Sequence, residues 1–123
     1  TWIVAAVANP EKEAQLRVLG AEVIVLPNGD GKADLAALML ELGRRQVNEV
    51  HVEAGSKLNG SLLREGCVDE LLVYLAPTLL GDAQGMFALP ALTDLKQQRT
   101  LRFHQVQQVG EDLRILARFA QRN

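Results

Sequence analysis

Short apolar runs alternate with amphipathic stretches along the first part of the chain, the pattern of strands wound through helices. Trp2-Ile3-Val4-Ala5-Ala6-Val7 is apolar without a break, as a strand covered on both faces must be. Asn9-Pro10 ends it. Pro10 suits the first turn of a helix, Glu11 and Glu13 complement its positive end, and Leu16 and Leu19 supply its inner face before Gly20 stops it. Glu22 to Pro27 reads as a second strand, and Asn28-Gly29-Asp30-Gly31 as a turn. Asp34 is placed to cap a helix over Leu35 to Arg45, in which Leu35, Leu38, Met39 and Leu42 recur at helical spacing. Asn48 to Ala54 follows as a third strand. Strand-helix units of about 25 residues predict parallel strands joined by right-handed crossovers.

The period then changes. A short helix follows Gly55, with Leu58 and Leu62 four residues apart and Gly66 as its stop. Val68 to Pro77 reads as a fourth, mostly apolar strand. Residues 77 to 98 have no clear period, and a connection that long is usually a binding loop, a lid or an oligomer contact. Its Met86-Phe87 pair fits either a partner subunit or a satellite of the core. Leu101 to Val109, a turn at Gly110-Glu111, and Asp112 to Phe119 predict an antiparallel hairpin, because Leu113, Ile115, Ala117 and Phe119 alternate with Arg114, Leu116 and Arg118. The expected fold is α/β: one domain over residues 1 to 123, with a mixed sheet that is mostly parallel and ends in the hairpin.

Composition narrows the function. The chain has 123 residues, enough to bury about two-thirds of its unfolded surface. With 13 basic and 15 acidic residues the net charge is -2, which gives no basic footprint for nucleic acid. No apolar run is long enough to span a bilayer and no signal peptide opens the chain. The single cysteine, Cys67, excludes an internal disulfide and a cysteine-rich zinc site, and fits a reducing cytoplasm. Neither His51 nor His104 has a second ligand at metal spacing. Ser56 and Ser61 have no sequence-visible base, so nucleophilic catalysis is unsupported. The chain starts at Thr1 inside a core strand, so it reads as a piece of something longer.

The chemistry concentrates where the expected third strand meets the next helix, at Val52-Glu53-Ala54-Gly55-Ser56-Lys57-Leu58-Asn59-Gly60-Ser61. In open α/β sheets the strand ends face the ligand crevice, so Glu53 is placed to meet substrate. Gly55 lets the main chain turn sharply, Ser56 can cap the helix, and the uncapped N–H groups behind it suit a phosphate. The spacing of Gly55 and Gly60 lacks the Lys and Ser/Thr of a P-loop, and no G-x-G-x-x-G follows any strand. The alternative is that both glycines only permit close packing of the helix and that Glu53 is a solvated strand end.

The three blocks Val52-Glu53-Ala54-Gly55 through Leu58-Asn59-Gly60-Ser61-Leu62-Leu63, Gly66-Cys67-Val68-Asp69-Glu70-Leu71, and Tyr74-Leu75-Ala76-Pro77-Thr78-Leu79-Leu80-Gly81 resemble, in order, the reductase domain of the bacterial bifunctional riboflavin biosynthesis deaminase/reductase. The resemblance covers essentially the whole chain. It implies a dihydrofolate-reductase-like fold and NADPH-dependent reduction of 5-amino-6-(5-phosphoribosylamino)uracil, a phosphoribosyl aminopyrimidine, to its ribityl form. It also implies that Glu53 contacts substrate and that Gly55, Ser56, Lys57, Leu58, Asn59, Gly60 and Ser61 hold the cofactor. The family's opening Ser-Leu-Asp-Gly type motif and the zinc signature of its deaminase half are not present in the sequence, so the expectation is an N-terminally truncated reductase domain, inactive alone. Its sheet edges would invite pairing into a homodimer. A module that serves only assembly, or a non-catalytic nucleotide binder, is the alternative.

Overall fold

The computed structural model describes residues 1 to 120. They form two compact units, Thr1–His51 and the chain from Val52 onward.

In the first unit, β1 (Trp2–Ala5) and β2 (Glu22–Val25) pair in parallel, with Trp2 opposite Glu22 and Ala5 opposite Val25. The crossover between them is α1 (Pro10–Val18). Asn9 starts that helix: its Oδ1 accepts from the N–H of Lys12 at 3.1 Å, and its own N–H donates to Glu13 Oε1 at 3.0 Å. The two bonds satisfy orphan donors reciprocally, as in a capping box. Asn28 closes the turn after β2, its side-chain oxygen accepting from the N–H groups of Asp30 and Lys32 at 2.9 and 2.8 Å. Asp34 caps α2 (Leu35–Arg44) through the N–H of Ala37 at 2.8 Å. Ile24 and Leu35 are the buried apolar residues here.

Arg45, just past α2, gathers the unit's ends. Its guanidinium donates to both oxygens of Glu22 at 2.9 and 2.8 Å and to Glu41 Oε1 at 2.8 Å, and lies 4.9 Å from the centre of the Trp2 ring. The bidentate geometry is the form of ion pair that holds best at a surface. The hydrogen bond from Arg45, then its charge, holds the Glu22 carboxyl below the usual carboxylate range. A depressed carboxylate stabilises the fold above its unfolded pKa, and the contribution fades as pH falls through the folded value. The thermal stability lost in Glu22→Gln is therefore expected to be largest at neutral pH and to shrink in the acid range. A gap that widens on acidification, measured by melting from pH 7 to pH 3, would rule this out.

The second unit holds α3 (Ser56–Arg64), β3 (Glu70–Leu75), a single 3-10 turn at Leu95–Gln97, β4 (Leu101–Val109) and β5 (Asp112–Phe119). The sheet order is β3-β5-β4 and both pairings are antiparallel. β4 and β5 form the hairpin that the sequence predicts, but burial follows the alternation only at Ala117, which is buried, and Arg118, which is exposed; Leu113 is exposed and Arg114 and Leu116 are half-buried. Ala117 pairs with Leu71 and Phe103 on one face, while Arg118 pairs with Glu70 and Arg102 on the other. Arg118 Nε donates to Glu70 Oε2 at 2.9 Å. The register shifts between Phe103 and Gln105, which is how a β-bulge keeps Val106 on the face of Phe103. Leu62, Leu63 and Ala117 are buried.

The α/β class is as expected, with its parallel and antiparallel pairings divided between separate sheets. Two elements differ from the sequence pattern. The stretch Asn48 to Ala54, read as a strand, joins neither sheet; alternating valines supply strand propensity, but a strand exists only through ladder bonds to a neighbour. The expected fourth strand forms over Glu70–Leu75 and runs antiparallel to β5. An apolar run cannot announce its direction, because burial on both faces looks the same for either.

Candidate functional site

The turn from Glu53 to Ser56 leads into α3. Glu53 and Gly55 are exposed, and Gly55 is the N-cap residue, with no side-chain cap bond to the helix behind it. Nothing lies within 4 Å of where a Gly55 Cβ would stand. The N–H of Asn59 bonds to the Gly55 carbonyl at 3.1 Å, starting the helical ladder, so the earlier N–H groups of the first turn carry the partial positive charge of a helix start. Lys57 and Leu58 are exposed beside them. The corner is bare peptide flanked by a carboxylate and an ammonium.

Ser56 is not the cap that the sequence suggested. It is the first helical residue, and its hydroxyl oxygen accepts from Gln84 Nε2 at 2.6 Å. Three further residues of the same stretch turn toward the chain's own main chain or its clamp. Asn59 Nδ2 donates to the carbonyls of Ala54 and Met86, at 3.1 and 3.4 Å. Gly60 is buried, and a Cβ there would overlap the Ala88 carbonyl oxygen and lie 3.0 Å from its carbon. Ser61 Oγ accepts from Arg64 Nη2 at 2.8 Å, while Arg64 Nη1 donates to the Ala88 carbonyl at 2.9 Å. The N–H of Ala88 completes the contact by donating to the Ser56 carbonyl at 2.9 Å.

Residues 84 to 88 thus form a strap laid along one stripe of α3. Ser56, Gly60 and Arg64 recur every fourth residue, so they share a face. Of the stretch singled out in the sequence, Glu53, Gly55, Lys57 and Leu58 stay exposed, Ser56 is shared, and Asn59, Gly60 and Ser61 serve the strap. The sequence pattern did not single out Gln84, Arg64 or Ala88. Gly60 held the one available signal, because a glycine inside a helix is unfavourable unless a neighbour must come close.

The family model described as the RibD C-terminal domain matches residues 1–115 and runs across both units. The riboflavin biosynthesis protein RibD of Escherichia coli is 45% identical over 91 residues, 73% of this chain and 25% of that protein. A 5-amino-6-(5-phosphoribosylamino)uracil reductase of Buchnera aphidicola is 31% identical over 94 residues, 76% of this chain and 45% of its own length. Among solved structures, RibD of Acinetobacter baumannii superposes with a TM-score of 0.80 at 27% identity, covering 98% of this chain and 31% of that one. The chain spans about a quarter of the RibD sequence from Escherichia coli and under half of the Buchnera reductase. With its strand-helix crossover, its bare corner before α3 and a match over nearly its whole length, the chain belongs to the RibD C-terminal domain family.

Proposed function

We propose that this chain is part of an NADPH-dependent reductase of riboflavin biosynthesis, acting on 5-amino-6-(5-phosphoribosylamino)uracil and reducing its ribose to the ribityl form. The uracil reductase name of the Buchnera relative supports the substrate class. The observation that carries the reading is the open Gly55 corner, where no atom beyond the adjoining residues stands within 4 Å of the place a Cβ would take and a helix starts without a side-chain cap. A dinucleotide's phosphates fit that chemistry, since unpaired first-turn N–H groups favour anions. Gly55, Ser56, Lys57 and Leu58 would hold the cofactor, with Asn59, Gly60 and Ser61 supporting the corner from behind. When bound, NADPH supplies the hydride.

The chain's own part is to bind and orient. Glu53 is placed beside the corner to accept hydrogen bonds from substrate hydroxyl or amino groups, fixing the ribose against the reduced ring. That positioning is where a protein adds most to hydride transfer. The Lys57 ammonium is close enough in sequence to add charge at the phosphates. Titration of NADPH into the chain, followed by nicotinamide fluorescence, is expected to saturate. A linear response up to millimolar concentrations would sink the reading.

Two accompanying proposals concern setting. A cytoplasmic location fits a chain with one cysteine and, among the described residues, no helix long and apolar enough to cross a membrane; recovery of the protein in a membrane or secreted fraction would oppose it. A homodimer is supported by the outer strand β4, where Leu101, Phe103 and Val106 share the Ala117 face and Phe103 is 75% exposed. Long apolar edge strands invite pairing. Light scattering is expected to give twice the chain mass, falling to the monomer in Phe103→Glu; a wild-type monomer at high concentration would overturn the proposal.

A further inference from the structure

We propose that Asn59 is a positioning residue: its side-chain amide ties the strap over α3 to the turn that carries Glu53 and Gly55. An asparagine amide has two protons to donate, and this one places both on main-chain carbonyls, Ala54 at 3.1 Å and Met86 at 3.4 Å. Ala54 lies between Glu53 and Gly55, while Met86 lies in the strap. The strap's far end is fixed independently by Arg64 on the Ala88 carbonyl and by the Ala88 N–H on Ser56. With both protons committed, Asn59 keeps no donor for a ligand and acts through Ala54 on the residues at the corner. The inference rests on the NADPH reading above and says how Asn59 supports the corner, where the family resemblance implied a cofactor contact.

The substitution that isolates this role is Asn59→Asp, which keeps the shape but replaces both donors by acceptors facing two carbonyls. NADPH is expected to bind the variant about tenfold more weakly or worse, the scale of a lost bond plus a repelled partner. Amide hydrogen exchange of Ala88 is expected to quicken, with the helical and strand signals intact by circular dichroism. A purely structural loss and a positioning loss part company on acidification. Two facing carbonyls raise the pKa of the introduced carboxyl, and its protonated form regains one donor. The ratio of variant to wild-type affinity, measured with acid-stable NADP⁺, should therefore move toward one between pH 7 and pH 5. A second variant, Gln84→Ala, removes a strap bond without introducing charge and is expected to weaken binding about threefold.

If the wild type binds NADPH and both variants bind it equally well, the strap is structural only: the positioning role is overturned and the cofactor reading stands. An affinity ratio unchanged by pH would also overturn it. If the wild type binds no NADPH, the cofactor reading fails and takes this role with it.

Discussion

Gly60→Ala is expected to lower the stability of the chain by about 2 kcal/mol, from overpacking against a neighbour that cannot yield. The sign is the informative part. Inside a helix this change ordinarily stabilises by up to about 1 kcal/mol, and Gly43 in α2, with nothing within 4 Å of its would-be Cβ, should show that gain. At Gly60 the new methyl group meets backbone, not the flexible end of a side chain. The Ala88 peptide is held on both sides, its carbonyl by Arg64 and its N–H by the Ser56 carbonyl, each at 2.9 Å. Lifting the strap to admit the methyl group loosens both bonds, each with a net value of about 1 kcal/mol. Urea melts of the two alanine variants beside wild type would decide it. Equal gains at both positions would mean that Ala88 does not press on α3 as described.

Gly55→Val should behave in the opposite way, with a small cost in stability and a large one in dinucleotide binding. The Gly55 backbone sits at φ -78 and ψ 167, an extended conformation open to valine. With open space around the position no clash is expected, and the loss of stability should stay near about 1 kcal/mol, the cost of a poorer N-cap residue. The branched side chain would instead stand over the first-turn N–H groups, where a phosphate must approach to hydrogen-bond distance. Affinity for NADPH is expected to fall at least tenfold, about 1.4 kcal/mol. Wild-type affinity in a well-folded Gly55→Val protein would move the cofactor away from this turn. The two glycines, five residues apart, thus separate the open part of the candidate site from the helix face packed under Ala88.

Local signals carried much of the fold. Asn9-Pro10 and Asp34 mark helix starts through side-chain oxygens, Gly20 and Gly66 end helices at φ 78 and 73, and Gly110 turns the hairpin at φ 63. Each of these is decided within a few residues, so the sequence displays it. Pairing partners are decided far away. The direction of Glu70–Leu75 depends on Asp112–Phe119, and nothing in Leu71-Leu72-Val73 encodes it. The candidate site stood out only in part. Gly55 and Glu53 stood out because a glycine and an acid at the start of a helix have local consequences, and the family resemblance pointed to the same turn. Gln84 and Arg64 did not, since a strap bond between residues 24 or 28 positions apart leaves no trace in spacing. The resemblance grouped Asn59, Gly60 and Ser61 with the cofactor contacts; their partners, seen only in three dimensions, point to support instead.

The middle strand of the second sheet is the last of its three to be synthesised. β3 leaves the ribosome with no neighbour to pair with, and stays so while the long connection to β4 is made; only when residues 112 to 119 emerge can either flank close. The β4-β5 hairpin is a local closure that forms in about 1–10 µs, whereas joining β3 bridges some forty residues and must wait for it. Newly made chain therefore carries an unshielded apolar segment, Leu71 to Leu75, while about forty further residues are added. A ribosome stalled before Asp112 is added should present that segment to chaperones.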